Sequence, residues 1–285
     1  MDKPSWLKKR LSTSAEAEET EAAIADLGLH TVCSSALCPN RTECFSRKVA
    51  TFMILGNVCT RNCAFCGVAK GLPLPPEEDE PDRVAQAAAR LGLEYAVITS
   101  VTRDDLPDRG AAAFAATLSA VRRRTPHVQA EVLTPDFDGR RELLRLVLAE
   151  KPIVFNHNLE TVPRLYPSVR PRASYGRSLD LLRMAKEEGA AFTKSGLMLG
   201  LGEEKEEVLA AFSDLRKAGC DILTLGQYLR PKKENLAVVR YIPPAEFGEY
   251  KKTAEEMDFK ACASGPFVRS SYYAADLFKQ TAALR

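Results

Sequence analysis

"KVATFMILGNVCTRNCAFC", Lys48 to Cys66, runs from an aliphatic, β-branched stretch directly into three cysteines spaced C-x3-C-x2-C, at Cys59, Cys63 and Cys66. The apolar run from Lys48 to Gly56 predicts a strand buried on both faces, because parallel strands covered on each side read as near-continuous hydrophobic segments. Gly56 and the polar residues beyond it end the strand. The three thiols are therefore expected on a loop at its C-terminal end. Five more strand-like segments follow, at Tyr95–Val101, His127–Thr134, Ile153–Asn158, Phe192–Gly200 and Ile222–Leu229. Amphipathic stretches such as "GAAAFAATLSAVRRR" and "EEKEEVLAAFSDLRKAGC" separate them, with apolar residues three and four apart. A further helix is expected from Pro244 to Met257.

Strands alternating with helices imply right-handed parallel crossovers, and six such units imply an open α/β barrel, a partial (βα)6 barrel of the TIM type. Such barrels place their chemistry on loops at the C-terminal ends of strands. That is where the cysteine loop lies, together with the proline-rich "GLPLPPEEDEPD" after it and "RPKKENL" after the sixth strand.

A chain of 285 residues, 45% hydrophobic and 27% charged, suits one such domain. With 40 basic and 38 acidic residues the net charge is only +2, which gives no electrostatic reason to expect nucleic acid or an anionic membrane as partner. The opening stretch has no apolar signal-peptide core, and no run is long enough to span a bilayer. A cytoplasmic protein is the expectation. A reducing compartment disfavours disulfides, so the eight cysteines point to metal or redox chemistry.

Three cysteines on one short loop can hold three irons of a 4Fe-4S cube and leave the fourth iron open to a cofactor or substrate. A zinc knuckle is the bland alternative, but no further pair of Cys or His stands beside the loop to complete it. Upstream, "CSSALCPNRTEC" spaces three more cysteines C-x4-C-x5-C, at Cys33, Cys38 and Cys44. Alone, this set also reads as structural zinc with a distant fourth ligand. Cys220 and Cys262 lie outside both sets and read as small buried hydrophobes. Arg122 to Arg124 read as a solvated helix end, where positive charge suits the helix dipole.

The C-x3-C-x2-C loop at the head of βα repeats resembles the radical S-adenosylmethionine superfamily. The segments "CPNRTECF", "VITSVTRDDLPDRGA", "FNHNLETVPRLYPSVRP", "SGLMLGLGE", "TLGQYLRP" and "GPFVRSSY" narrow the resemblance to the lipoyl synthase family. It implies a cluster on Cys59, Cys63 and Cys66 whose open iron chelates the methionyl amino and carboxylate groups. Electron transfer there cleaves the sulfonium to a 5′-deoxyadenosyl radical. It further implies a second, auxiliary 4Fe-4S cluster on Cys33, Cys38, Cys44 and a serine, Ser271 with Ser270 as the alternative, which is consumed as the sulfur source. A hydroxyl ligand weaker than thiolate suits a cluster that must come apart. The serines can also be read as caps of the C-terminal helix "SSYYAADLFKQTAAL". The division that follows is an N-terminal extension over 1–47, the barrel over 48–242 and a C-terminal extension over 243–285.

The same resemblance, with strand alternation, marks Thr99, Ser100, Arg103, Asp104, Asn156, Asn158 and Glu160 for the cofactor. Arg170 and Lys194 suit its carboxylate, Glu203 and Arg269 are further candidates, and Phe65 either faces the adenine or packs in the core. His157 alternates out of the row and reads as a packing residue. The implied substrate is an octanoyl group on a lysine of a lipoyl carrier domain or glycine-cleavage H protein. A flavodoxin- or ferredoxin-type donor and an iron-sulfur carrier are implied as partners. Asn235 stands where the family usually has histidine, and Tyr273 where histidine or arginine is common. Neither departure removes a cluster ligand, and they put in doubt only the carrier contacts or the fine positioning of substrate. Among rivals, a biotin synthase type of enzyme should lack the upstream cysteines and the serine pair. A non-catalytic metal carrier is separated by S-adenosylmethionine cleavage.

Overall fold

The computed structural model describes residues 3–8 and 14–283. The described residues build a seven-stranded, all-parallel sheet in the order β1 (Thr51–Ile54), β4 (Tyr95–Ser100), β5 (Gln129–Leu133), β6 (Val154–Asn156), β7 (Phe192–Leu199), β8 (Ile222–Gln227) and β9 (Ala261–Gly265). β2 (Val58–Cys59) and β3 (Ala69–Lys70) form a separate parallel pair that closes the cysteine loop at its base. The helices run in chain order as α1 (Ala15–Asp26), α2 (Val32–Ser35), α3 (Arg41–Ser46), α4 (Glu80–Arg90), α5 (Ala111–Arg124), α6 (Arg141–Leu148), α7 (Tyr166–Val169), α8 (Tyr175–Glu187), α9 (Lys205–Lys217), α10 (Pro244–Glu256) and α11 (Ala274–Ala282). All six expected strands are present, and the partial barrel is borne out. The correction is a seventh strand. β9 pairs with β8 from Ala261↔Ile222 to Gly265↔Gly226, although "ACASG" has no β-branched or aromatic residue to announce it.

Local chemistry explains the helix starts. Ser14 and Ser174 cap α1 and α8, and α9 opens on a reciprocal capping box between Glu204 and Glu207. Every residue of β1 is buried, as a strand between helices and barrel interior requires.

Two devices finish the open barrel. At the β1 edge, the Met53 amide donates to the His30 carbonyl at 2.9 Å and Thr31 bridges Phe52, so the segment leading to the first cysteines covers an edge that would otherwise be unpaired. At the N-terminal ends of the strands, Phe278 of α11 packs its ring 5.9 Å from those of Tyr95 and Phe192. With the bottom closed, the cavity opens at the other end. No helix among the described residues is long and apolar enough to cross a membrane.

Candidate active site

A cavity of about 490 Å³ lies at the C-terminal ends of the strands, and Cys59, Cys63 and Cys66 share its wall with Cys33 and Cys38. Among the described residues no three His, Cys, Asp or Glu side chains close on a single ion position. All three cysteines of the second set and two of the first open on the cavity instead, and Cys44 lines a smaller one.

The second-set loop is held by backbone and side-chain bonds on all sides. The Ala64 amide donates to Val169 O at 2.9 Å, and the Leu236 amide donates to Ala64 O at 3.2 Å. Asn235 Nδ2 donates to the carbonyls of both Ala64 and Cys66 at 3.0 Å. This corrects the expectation for Asn235: it is buried against the cysteine loop and makes no carrier surface. Burial pushes the Cys66 thiol up to about 12 and raises that of Cys63, the latter against the pull of the Arg170 charge. Burial disfavours a free thiolate and a bound cation stabilises it, and soft sulfur donors on a short loop suit iron. The donor set fits an iron-sulfur cluster.

The first set is stitched to the C-terminal segment. Cys33 sits in α2, Cys44 in α3 and Cys38 in the turn between them. Asn40 Nδ2 donates to Phe267 O at 2.7 Å, and the hydroxyls of Tyr272 and Tyr273 donate to Glu43 Oε1 at 2.7 and 2.9 Å. Arg47 lies 4.4 Å over the Tyr273 ring. Tyr273 therefore ties the two chain ends together, a role the departure at this position did not announce. Burial raises the Cys33 thiol to about 11. Ser271 lines the main cavity with Cys33 and Cys38, and also a smaller one of about 70 Å³ that Cys44 lines. Ser270 instead accepts from Asn158 Nδ2 at 2.6 Å. Neither serine caps α11, whose N-cap is Tyr273 in the left-handed region. Arg269 lines the main cavity beside Cys38 and Glu160.

Gly226 lets this segment reach the barrel, since a Cβ added there would lie 2.0 Å from Val268 O. Gly226→Ala is expected to cost about 1–3 kcal/mol of stability by overpacking. It should also lower iron uptake on the first cysteine set more than on the second. Thermal denaturation and iron per chain after reconstitution check both expectations.

Thr99, Ser100, Asn158, Glu160, Arg170 and Phe65 all line the main cavity. Ser100 Oγ, Thr134 Oγ1, Asn158 Oδ1 and Arg170 Nε are buried there without hydrogen-bond partners, so the wall presents unsatisfied polar atoms to whatever fills it. Phe65 also packs against the cluster formed by Val169, Leu201 and Tyr228. Arg103, Lys194, Asn156 and Glu203, four further candidates, are placed elsewhere. Arg103 is buried and bonded to Asp105 at 2.7–3.1 Å. Lys194 Nζ and Asn156 Nδ2 both donate to Glu131 Oε1, at 2.8 and 3.2 Å, and Tyr95 donates to its other oxygen at 2.8 Å. This network fills the barrel interior outside the cavity wall. Glu203 accepts from the Gly200 and Leu201 amides and shapes that turn. His157 is buried as expected, with Nδ1 on Thr134 O and Nε2 on Ser178, and burial lowers it to about 4. Cys220 and Cys262 are buried in the core.

Sequence reasoning missed Glu131, Arg61 and Asp136. The available signals were a lone carboxylate inside a strand-like run and an arginine between two cysteines.

Comparison with known proteins follows the same lines. Residues 53–226 match the family described as the radical SAM superfamily. The chain is 54% identical over 273 residues to the lipoyl synthase of Rubrobacter xylanophilus, covering 95% of this chain and 85% of that protein. It is 56% identical over 277 residues to the lipoyl synthase of Rhodopirellula baltica, covering 96% and 87%. Among solved structures, Streptococcus suis SuiB bound to S-adenosylmethionine matches with a TM-score of 0.60 at 13% identity, over 79% of this chain and 53% of that one. HydG, a maturase of the [FeFe]-hydrogenase, matches with a TM-score of 0.53 at 13% identity, over 79% and 57%. At such identities the structural likeness speaks to the fold, and the chain spans about half the length of those neighbours.

Proposed function

The chain belongs to the lipoyl synthase family of the radical SAM superfamily, and from that membership we propose how its residues divide the work of inserting two sulfur atoms, at C6 and C8, into an octanoyl group carried on a protein lysine. Cys59, Cys63 and Cys66 hold the cluster that binds S-adenosylmethionine, and Cys33, Cys38, Cys44 and Ser271 hold the auxiliary cluster. When bound, the first supplies the electron that cleaves the sulfonium and the second supplies sulfur. The observation that carries this assignment is the shared cavity that Cys59, Cys63 and Cys66 line together with Cys33, Cys38 and Ser271.

The remaining residues bind, orient and exclude water. Ser100, Thr134, Asn158 and Arg170 offer buried polar atoms that lack partners and are suited to ribose hydroxyls and the methionyl group. Glu160 lies where a carboxylate can meet an ammonium, held at φ +66 with Asn158 Nδ2 donating to it at 3.0 Å. Ser271, a neutral hydroxyl that lines one cavity with Cys33 and Cys38 and another with Cys44, would give the auxiliary site one ligand weaker than thiolate, as a cluster that must come apart requires. The apolar remainder of the wall, including Met53, Leu133 and Leu197, suits an alkyl chain. Partners of the proposed reaction are an octanoylated carrier domain or H protein, a small reducing protein and an iron-sulfur carrier.

Anaerobic reconstitution with iron and sulfide, followed by reduction with an octanoyl-lysine peptide and S-adenosylmethionine, tests this reading by mass spectrometry. A peptide that gains two sulfurs alongside 5′-deoxyadenosine is the expected result. Deoxyadenosine with an unchanged peptide would keep the radical chemistry and overturn the acceptor.

A further inference from the structure

Between Cys59 and Cys63 the loop carries a buried charge for which the reaction as assigned has no use. Arg61, 6% exposed, forms paired bonds with two carboxylates from different barrel loops. Its Nε and Nη2 donate to Asp104 beyond β4 at 2.8 and 2.9 Å, and its Nη1 and Nη2 donate to Asp136 beyond β5 at 3.0 and 2.7 Å. Asp136 is fully buried and is further held by Arg177 at 3.4 Å and the Asp138 amide at 3.2 Å. The preceding residue adds a second tie. The Thr60 amide and hydroxyl both donate to Thr102 O, at 3.0 and 2.9 Å, while the hydroxyl accepts from the Asp104 amide at 3.0 Å. As a result the Thr102 amide points at Cys59 and donates to its Sγ at 3.3 Å.

A guanidinium fork fixes two planar partners at once, which a lysine cannot do. Hydrogen bonds to ligand sulfur, and the neighbours that orient them, tune the reduction potential of an iron-sulfur cluster. We propose that Arg61 is a positioning residue: by clamping the cysteine loop to the loops after β4 and β5, it holds the Thr102 amide on Cys59 Sγ and so raises the potential of the cluster bound there. This rests on the assignment of Cys59, Cys63 and Cys66 to that cluster. A merely structural ion pair would affect stability and leave the potential alone.

The test uses the reconstituted full chain and two variants. Arg61→Lys keeps the charge and loses the fork. Thr60→Val keeps Arg61 and removes the hydroxyl bonds to Thr102 and Asp104, so it decides the matter if the lysine variant does not fold. The midpoint potential of the cluster that responds spectroscopically to S-adenosylmethionine is read by electron paramagnetic resonance titration, with iron per chain measured alongside. A shift to more negative potential at wild-type iron content is expected in each variant. Unchanged potentials in variants that hold the cluster would overturn the clamp alone. Iron content that does not fall when Cys59, Cys63 and Cys66 are replaced would overturn the cluster assignment, and this proposal with it.

Discussion

Cys63→Ala is expected to reduce 5′-deoxyadenosine formation by about a thousandfold or more, the equivalent of at least ~4 kcal/mol of lost transition-state stabilisation. Cys63 is the middle thiol of its loop, and no other thiol is placed to replace it. Cys220 and Cys262 are buried in the core away from the cavity wall, and Cys33 and Cys38 belong to the segment tied to the C-terminal residues. The fold should tolerate the change, because the loop is fixed by Arg61, Thr60 and Asn235 independently of the thiol. The decisive comparison is therefore deoxyadenosine yield against thermal midpoint. A near-native midpoint with no deoxyadenosine is the expected pair, and a variant retaining a tenth or more of the cleavage would remove Cys63 from the ligand set. Cys220→Ser serves as the contrast: the fully buried thiol donates to Ile222 O at 3.3 Å, so a hydroxyl there loses the larger sulfur's packing and should cost some stability while leaving cleavage in the folded protein.

The fold was legible because parallel strands and amphipathic helices leave different periods in the sequence, and each expected strand contains an observed one. β9 was illegible for the opposite reason. Its small residues gain their burial from β8 and α10, through contacts that local pattern does not record. The site divides in the same way. Alternation put Asn158 and Glu160 on one wall, where both line the cavity, and it read His157 as a packing residue; His157 is buried with both ring nitrogens bonded, yet it borders the same cavity. It did not separate residues by depth along the barrel axis, so Asn156 and Lys194 were grouped with the cavity although Glu131 holds both beside it. The Arg61 clamp joins residues 43 and 75 positions apart, and nothing in a single sequence marks those partners. Of the two serines, the one engaged with Asn158 became distinguishable only through geometry.

Cys38→Ala should separate the two halves of the chemistry. S-adenosylmethionine cleavage is expected to stay within about threefold of wild type, under ~1 kcal/mol, while sulfur insertion is lost. The reasoning begins with placement. Cys38 lies in the turn between α2 and α3, on the opposite chain segment from the C-x3-C-x2-C loop, and the bonds that fix that loop reach residues 102, 104, 136, 169 and 235 without passing through it. Removing its thiol also leaves the seam between chain ends intact, since Asn40, Glu43 and Arg47 carry those contacts. On the proposed assignment, what disappears is one of three soft donors, with the hydroxyl of Ser271 as the fourth. Two thiols and a hydroxyl hold iron poorly, so iron per chain should fall by roughly half, to the complement of a single cluster. The measurement is the ratio of lipoyl product to deoxyadenosine, taken with iron content on the same sample. If the Cys38 variant still yields product carrying two sulfurs, the sulfur comes from elsewhere, and the assignment of donor function to the first cysteine set is wrong. If cleavage collapses together with insertion, the two sites are coupled through the cavity wall they share, and the division of labour between them has to be redrawn.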